Sequence, residues 1–387
     1  MTCCNTIMRK AGLVWLLGGL LLLQGSALAA STLAEEKAQL RQHAVQELVA
    51  QLGLRASPVA SRDLPGWRAV KRVVARYPAE RIEELRAVAP GVEIVAVEDT
   101  AQALAALDGA QALIGFCGPD LLEKGAALHW IQVYSSGVER CVVLPQMQTG
   151  DKLLTNGQRI GSPALAEHAI AMMMALARGL DRYYVNQLEG DWQRRVDLGQ
   201  GEFLELEGRT VLIVGLGGIG TQVARRAHGL GMRVIATRGS RREGPDYVDY
   251  VGLGDETLEL ARQADVVINA APLTERTRGM FDAAFFKAMK PTAYFVSVGR
   301  GQSTVTDDLV AALEAGDLAG AGLDVTDPEP LPQDHPLWRA PRVIITPHTA
   351  GRSDRSRERL FLLVQENLRR YVAGEPLYSV VDIERGY

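Results

Sequence analysis

Three charged residues, Arg300, Glu329 and His348, each stand in a loop directly after an apolar segment that is typical of a buried β-strand. The three segments span residues 293–298, 320–325 and 343–346. Because the carboxyl ends of parallel strands gather at one edge of a sheet, we expect the three side chains to converge there on one small molecule.

A guanidinium, a carboxylate and an imidazole in one place suit hydride transfer to or from a carbon that bears oxygen. Arg300 has a planar fork of donors that can bind a carboxylate and polarise the neighbouring carbonyl. His348 can serve as the acid in one direction and the base in the other. Glu329, bonded to the other ring nitrogen, would orient the imidazole and favour its charged form. Each residue alone has an ordinary explanation as part of a loop, so the hypothesis depends on the three together.

Residues 211–220 indicate where the hydride carrier would bind. Four apolar residues, typical of a strand in a parallel sheet, precede glycines at G-x-G-x-x-G spacing. Gly215 allows a tight turn, Gly217 lets the backbone approach a pyrophosphate, and Gly220 lets the next helix pack on the strand. The amino end of that helix offers N–H groups and a positive dipole end to phosphates. A second apolar strand follows, so the sequence predicts a dinucleotide-binding unit rather than a plain glycine loop.

The chain before this motif predicts another α/β domain. From about residue 70 it alternates strand and helix patterns, flavodoxin-like in texture and without its own glycine fingerprint. The predicted strands are residues 70–75, 92–97, 112–116, 129–134 and 153–156, and the helices are residues 80–88 and 100–107. A long apolar helix over residues 162–180, with Ser162 as its N-cap, leads into the second domain and should be buried between domains or subunits. An amphipathic helix over residues 357–371 comes near the end.

Length and composition limit the possible classes of protein. The 387 residues suffice for two domains, and the net charge of −4 argues against a general nucleic-acid or anionic-membrane binder. We predict no metal site. Cys117 and Cys141 lie outside the amino-terminal leader; they could pair, but the sequence cannot show it, and isolated buried thiols are the favoured interpretation.

The amino terminus predicts a signal peptide over residues 1–29. Arg9 and Lys10 precede an apolar run over residues 11–23, and Ala27-Leu-Ala29 is a small-x-small cleavage motif. This pattern predicts a periplasmic or secreted protein, with a membrane-anchored or cytoplasmic protein as the alternatives. Nicotinamide cofactors are mainly cytoplasmic, and the leader lacks the twin-arginine pair that would indicate export of a folded, loaded protein.

From about Val70 to its end, the sequence resembles the D-isomer-specific 2-hydroxyacid dehydrogenase family, which includes glyoxylate/hydroxypyruvate reductases and phosphoglycerate dehydrogenases. The stretches that carry the resemblance are residues 211–220, 271–279, 290–301, 320–332 and 346–351. The resemblance implies that Arg300, Glu329 and His348 are catalytic, with His348 as general acid/base, and that Asp324 holds the nicotinamide carboxamide. The loop residues Ser136 and Gly137 would donate backbone N–H groups to the substrate carboxylate, beside Arg300.

The resemblance also implies two Rossmann/flavodoxin-like domains with parallel sheets, and a homodimer built around the long helix. The substrate domain would be discontinuous, made of residues 31–161 and 352–387, with a dinucleotide-binding domain over residues 162–351. Together with the glycine motif, the resemblance implies a set of residues that bind the dinucleotide. They are Gly215, Gly217, Gly218, Ile219, Gly220, Thr237, Arg238, Ser240, Arg241, Ala271, Pro272, Val298, Gly299 and Asp324.

Two positions depart from the family pattern. Ser297 stands where the family commonly has Asn, three residues before the catalytic arginine, which leaves the hydrogen bonding of that loop open. NAD-type members carry an acid after the second strand to bind the ribose 2′-hydroxyl, but residues 237–242 here read Thr-Arg-Gly-Ser-Arg-Arg. Arg238, Arg241 and Arg242 with Ser240 suit a 2′-phosphate, so the sequence favours NADP, with NAD as the alternative and a solvated basic turn as the ordinary explanation.

The sequence therefore predicts an enzyme that reduces a small 2-keto acid to its D-2-hydroxy acid with NADPH. A glyoxylate/hydroxypyruvate reductase proper is one alternative. A catalytically idle, dinucleotide-sensing binding protein that keeps the fold is another, and the intact Arg300, Glu329 and His348 argue against it.

Overall fold

The computed structural model describes residues 35–199 and 203–386. Contacts divide the chain into two compact units, Met1–Gln51 and Leu52–Tyr387, of which the second carries both sheets. A helix, α1, covers residues 35–52. The predicted signal peptide, over residues 1–29, lies outside the described residues.

The first sheet has five parallel strands in the order β2-β1-β3-β4-β5. The strands are β1 Arg72–Ala75, β2 Glu93–Ala96, β3 Ala112–Ile114, β4 Trp130–Gln132 and β5 Leu153–Thr155, and the helices around them are α2 Ala79–Val88, α3 Thr100–Ala106, α4 Pro119–Lys124 and α5 Glu139–Val142. The central strands β1, β3 and β4 are mostly apolar and buried, apart from Arg72 at the start of β1 and the buried Gln132 at the end of β4, because helices cover both faces of a parallel sheet.

The second sheet has seven parallel strands in the order β12-β11-β10-β9-β6-β7-β8. Its strands are β6 Thr210–Val214, β7 Arg233–Arg238, β8 Tyr250–Leu253, β9 Val266–Asn269, β10 Tyr294–Ser297, β11 Gly320–Leu323 and β12 Val343–Ile345. Its helices are α8 Gly218–Gly229, α9 Thr257–Ala261, α10 Ala283–Ala288 and α11 Thr306–Ala315. Strands β7 and β8 lie on one side of β6, and strands β9 to β12 lie on the other side. The strand order therefore reverses at β6, and a crevice for a ligand opens beyond its carboxyl end. The predicted pair of parallel-sheet α/β domains is confirmed.

The long helix between the sheets is shorter than its apolar pattern predicts. Helix α6 covers Ser162–Ala177, and Gly179 then adopts a left-handed conformation that ends it before α7, Leu180–Glu189, begins. The expectation that Ser162 is the N-cap is wrong: Gly161 holds that position and Ser162 is already helical. Helix α6 is buried against α8 and the second sheet, as its Ala- and Met-rich body requires.

The carboxyl-terminal helix returns to the first sheet. Helix α12, Ser356–Ala373, buries Phe361, Val364 and Tyr371 in a core that includes Trp130 of β4. This packing suits a discontinuous substrate domain, while the boundaries at residues 161/162 and 351/352 stay predictions. Within residues 35–199 and 203–386, none of the helices has both the length and the apolar character that crossing a bilayer requires.

Cys117 and Cys141 form a disulfide, with their Cα atoms 5.9 Å apart. The expectation of isolated thiols is therefore wrong. Cys117 precedes α4 and Cys141 lies in α5, and the sequence carries no signal that the fold brings these short helices together.

Candidate active site

The imidazole of His348 is hydrogen-bonded to the carboxylate of Glu329. His348 Nδ1 lies 2.7 Å from Glu329 Oε1, and both side chains are about half exposed. The two residues come from the loops after β12 and β11, which are neighbouring strands. This contact fixes the ring and directs Nε2 away from Glu329, so Nε2 is the nitrogen that can exchange a proton with a substrate.

The loop that carries His348 is organised by the carboxylate of Asp324. Asp324 is buried, its Oδ1 accepts from Thr346 Oγ1 (2.6 Å) and Thr349 N (2.9 Å), and its Oδ2 accepts from Ala350 N (3.1 Å). The backbone oxygen of Asp324 accepts from His348 N at 2.8 Å. These bonds hold His348 in a left-handed conformation, φ 52°, which is uncommon outside glycine and is typical of functional positions. Sequence reasoning missed this role of Asp324.

Arg300 connects the two sheets. It follows β10, its Nη1 donates to Gly299 O at 2.9 Å, and its Nε donates to Glu139 Oε1 at 3.1 Å. Glu139 begins α5, just after the loop that contains Gly137. A Cβ at Gly137 would lie 2.2 Å from Arg300 Nη2, so only glycine lets the guanidinium come this close.

Glu139 was not singled out from the sequence, although its place two residues after Gly137 was a signal. Its carboxylate on Arg300 is the same chemical group that a 2-keto acid presents to an arginine. The backbone of the neighbouring Ser136 is also fixed, because its carbonyl accepts from Asn156 Nδ2 (2.7 Å) and its hydroxyl donates to Gly157 O (3.1 Å).

The loop before Arg300 forms with serine in place of the usual asparagine. Asn269 Nδ2, at the end of β9, donates to Ser297 Oγ at 3.1 Å and to Ser303 Oγ at 2.8 Å. Ser303 Oγ in turn donates to Arg300 O at 2.6 Å. Asn269 therefore supplies hydrogen bonds that hold the loop on both sides of Arg300.

The glycine motif has the close approaches that its spacing predicts. Gly215 has φ 95°, and a Cβ on it would lie 2.7 Å from the backbone nitrogen of Ala271. A Cβ on Gly220 would lie 2.2 Å from Gly215 O, so α8 packs directly on the turn. A Cβ on Gly217, the N-cap of α8, would meet no atom within 4 Å, which leaves this end of the helix open to a ligand. These features fit a dinucleotide.

The basic segment after β7 lies beside the glycine turn, because Thr237 O accepts from Gly215 N (3.2 Å) and Leu216 N (2.9 Å). Arg238 Nε is buried and makes no hydrogen bond to a described residue. Burial lowers the pKa of Arg238, and so does the positive charge of Arg241. Arg242 does not join this group: its Nη1 lies 2.8 Å from Glu256 Oε1, so its charge is already neutralised.

Comparison with known proteins assigns the chain to a family. Residues 170–350 match the model of the D-isomer specific 2-hydroxyacid dehydrogenase, NAD binding domain. The glyoxylate reductase of Korarchaeum cryptofilum is 35% identical over 269 residues, which cover 68% of this chain and 79% of that protein. The glyoxylate reductase/hydroxypyruvate reductase of Homo sapiens is 33% identical over 264 residues, 66% and 77% of the two chains. The chain belongs to the D-isomer-specific 2-hydroxyacid dehydrogenase family.

The fold also matches a solved structure of a glyoxylate/hydroxypyruvate reductase. The NADPH-dependent glyoxylate/hydroxypyruvate reductase of Sinorhizobium meliloti, in complex with NADP and sulfate, superposes with a TM-score of 0.69 at 27% identity over 82% of this chain and all of that one (100%). The family resemblance read from the sequence is confirmed. The protein is an NAD(P)-dependent oxidoreductase that transfers a hydride between the cofactor and a small 2-hydroxy or 2-keto acid.

Proposed function

We propose that the protein reduces glyoxylate, hydroxypyruvate or a similar small 2-keto acid to the D-2-hydroxy acid with NADPH, and that His348 is the general acid. The observation that carries this proposal is the 2.7 Å contact between His348 Nδ1 and Glu329 Oε1, at the sheet edge where the glycine motif also lies. The relatives support the substrate class, since the human and Korarchaeum proteins are named for glyoxylate.

In this mechanism the substrate carboxylate binds to Arg300 and to the loop of Ser136 and Gly137, and exchanges with Glu139 on the guanidinium. The chemistry that a reduced nicotinamide would supply when bound at the glycine motif is a hydride for the carbonyl carbon. His348 Nε2 gives its proton to the carbonyl oxygen, which becomes the hydroxyl of the product. Glu329 keeps Nδ1 protonated and stabilises the charged ring before the transfer.

The preference for NADPH rests on Arg238 and Arg241, neither of which forms a salt bridge with a carboxylate of the described residues. The charge of Glu243 attracts Arg238, but burial and the charges of Arg241 and Arg55 outweigh it. A 2′-phosphate would neutralise Arg238 and Arg241, and an acid at this place would repel it. We expect a lower Michaelis constant for NADPH than for NADH. Equal constants, or a lower one for NADH, would contradict the preference.

The substrate is tested by following NADPH oxidation with glyoxylate, hydroxypyruvate, pyruvate and phenylpyruvate. A glyoxylate/hydroxypyruvate reductase proper has its highest kcat/KM with the first two acids. A preference for pyruvate or phenylpyruvate would place the chain among other 2-hydroxyacid dehydrogenases, and no turnover with any of the four would count against a small 2-keto acid as substrate.

Export is a further part of the proposal. The leader pattern supports it, and so does the disulfide between Cys117 and Cys141, because such bonds persist mainly in oxidising compartments. Cell fractionation with amino-terminal sequencing should find a mature chain that begins near Ala30 outside the cytoplasm. A cytosolic chain with an intact Met1 or Met8 would contradict export.

We also propose a homodimer. Helix α7 and the turn after it expose Leu180, Tyr184 and Leu188, and Trp192 is 91% exposed. A run of large apolar side chains of this kind is typical of an interface. Light scattering of the purified protein should give twice the mass of one chain, and a monomer at micromolar concentration would contradict this proposal.

A further inference from the structure

An arginine outside the predicted dinucleotide-binding domain lies against the glycine motif. Arg159 stands in the turn between β5 and α6 and adopts a left-handed conformation, φ 69°. A Cβ on Gly218, the first residue of α8, would lie 2.8 Å from Arg159 Cγ and 3.0 Å from Ser162 Oγ. The stem of Arg159 therefore covers the amino end of α8, next to the open face of Gly217.

The charge of Arg159 is part of a group of like charges. Burial lowers the pKa of Arg159, and the positive charges of Arg55, Arg238 and Arg241 lower it further. Arg159 Nη1 donates to Leu52 O at 3.2 Å, but among the described residues no carboxylate forms an ion pair with Arg159, Arg238 or Arg241. Partly buried cations that repel one another are stable when an anion neutralises them.

The family supplies the anion, because a dinucleotide carries its pyrophosphate at the amino end of the helix after the glycine turn. Arg159 and the basic segment after β7 approach that helix from different sides. The contact of Arg159 is with Gly218 of α8 itself, whereas Arg238 ends β7 and Arg241 follows it, where the adenosine ribose of a dinucleotide lies.

We propose that Arg159 binds the pyrophosphate of the dinucleotide, while Arg238 and Arg241 bind the 2′-phosphate. This assignment deepens the proposed NADPH-dependent function and rests on it for the 2′-phosphate only. The pyrophosphate is common to NADH and NADPH, so Arg159 strengthens the binding of both cofactors, and Arg238 strengthens the binding of NADPH alone.

The test compares the variants Arg159→Asn and Arg238→Met by equilibrium titration of cofactor fluorescence, without substrate. Asparagine is chosen because it tolerates the left-handed backbone of residue 159. We expect Arg159→Asn to raise the dissociation constants of NADPH and NADH by a similar factor, about 10- to 100-fold, the usual cost of losing a charged hydrogen bond. Arg238→Met should raise the constant for NADPH only.

The matched control is Arg233→Met, at the opposite end of the same strand as Arg238, about 17 Å away by strand geometry. It should leave both dissociation constants unchanged. A second ligand, 2′-AMP, carries the 2′-phosphate without a pyrophosphate, so its binding should survive Arg159→Asn and weaken with Arg238→Met. Survival of 2′-AMP binding also shows that the variant is folded.

Unchanged affinity of Arg159→Asn for both cofactors would overturn the proposal. A loss confined to NADPH would overturn it as well, since Arg159 would then read the 2′-phosphate. The effect of Arg159→Asn on the dissociation constant of NADH does not depend on the proposed preference for NADPH. If the wild-type protein prefers NADH, that preference is refuted, but the role of Arg159 at the pyrophosphate can still be tested.

Discussion

At the scale of single residues, the site depends on side chains that act through their neighbours. Glu329 fixes the ring of His348, Asp324 fixes its backbone, and Asn269 fixes the loop of Arg300. The sequence predicted Arg300, Glu329 and His348 because each follows a strand of one parallel sheet. It did not predict Glu139, because its position two residues after Gly137 does not show that α5 approaches Arg300, which depends on how the two sheets face each other.

Glu329→Gln tests the orienting role of the carboxylate. The amide retains the size of the side chain but has no charge to stabilise the imidazolium, and it can select the wrong ring tautomer. We expect kcat to fall by about 10- to 100-fold, with little change in the dissociation constant of NADPH. The pH profile of kcat should also shift, which a purely structural loss would not cause. A variant with wild-type kcat would show that Glu329 is not required.

At the scale of elements, the strands were predictable and the helix ends were less so. Parallel strands that are buried on both faces give short apolar runs bounded by glycine or polar residues, and each predicted strand has a counterpart within a few residues. The apolar pattern of α6 continues through Leu180, so only the left-handed backbone of Gly179 separates it from α7. Because glycine is also found inside helices, the sequence alone does not show that Gly179 takes this conformation and ends α6.

Helix α12 contains a carboxylate whose ionisation stabilises the fold. Glu366 is only 9% exposed, and it accepts from Arg369 Nη2 (2.9 Å) and Arg370 Nε (2.7 Å). Burial alone would raise the pKa of Glu366, but the hydrogen bonds from the two arginines outweigh it, so the pKa is lowered. A lowered pKa stabilises the fold above the unfolded value of about 4.3, and this contribution is lost as the pH falls below it.

Glu366→Gln should therefore lower the free energy of unfolding at pH 7 by about 3 kcal/mol, because it leaves Arg370 without a carboxylate, whereas Arg369 keeps its ion pair with Glu375. The difference from wild type should shrink as the pH falls below about 4. Urea unfolding at both pH values measures it. Glu358→Gln, on the same helix and paired with Arg81 at the surface, is the control and should cost at most about 1 kcal/mol. Equal losses in the two variants would contradict this account of Glu366.

At the scale of the whole molecule, the two parallel-sheet domains and the family followed from the sequence, and the covalent link did not. Right-handed crossovers between parallel strands allow few topologies, so alternating strand and helix patterns nearly determine the architecture. Cys117 and Cys141 are 24 residues apart in sequence, and their pairing depends on how close the fold brings the start of α4 to α5, which their spacing does not show.

The disulfide should stabilise the protein by about 3 kcal/mol, the value for a loop of this length. A reductant should lower the melting temperature of the wild type, and the double variant Cys117→Ser/Cys141→Ser should melt at that lower temperature with or without reductant. Peptide mapping without reduction checks the premise: two separate thiol peptides from these positions would contradict the link.

The central claim is that His348 moves the proton that accompanies hydride transfer, and His348→Asn tests it most directly. Asparagine tolerates the left-handed backbone of this residue but has no group that can act as acid or base. NADPH oxidation with the best keto acid and the NADPH dissociation constant are measured on the same preparation. We predict that kcat falls by at least about 100-fold while NADPH binding is unchanged. Unchanged turnover in this variant would contradict the mechanism.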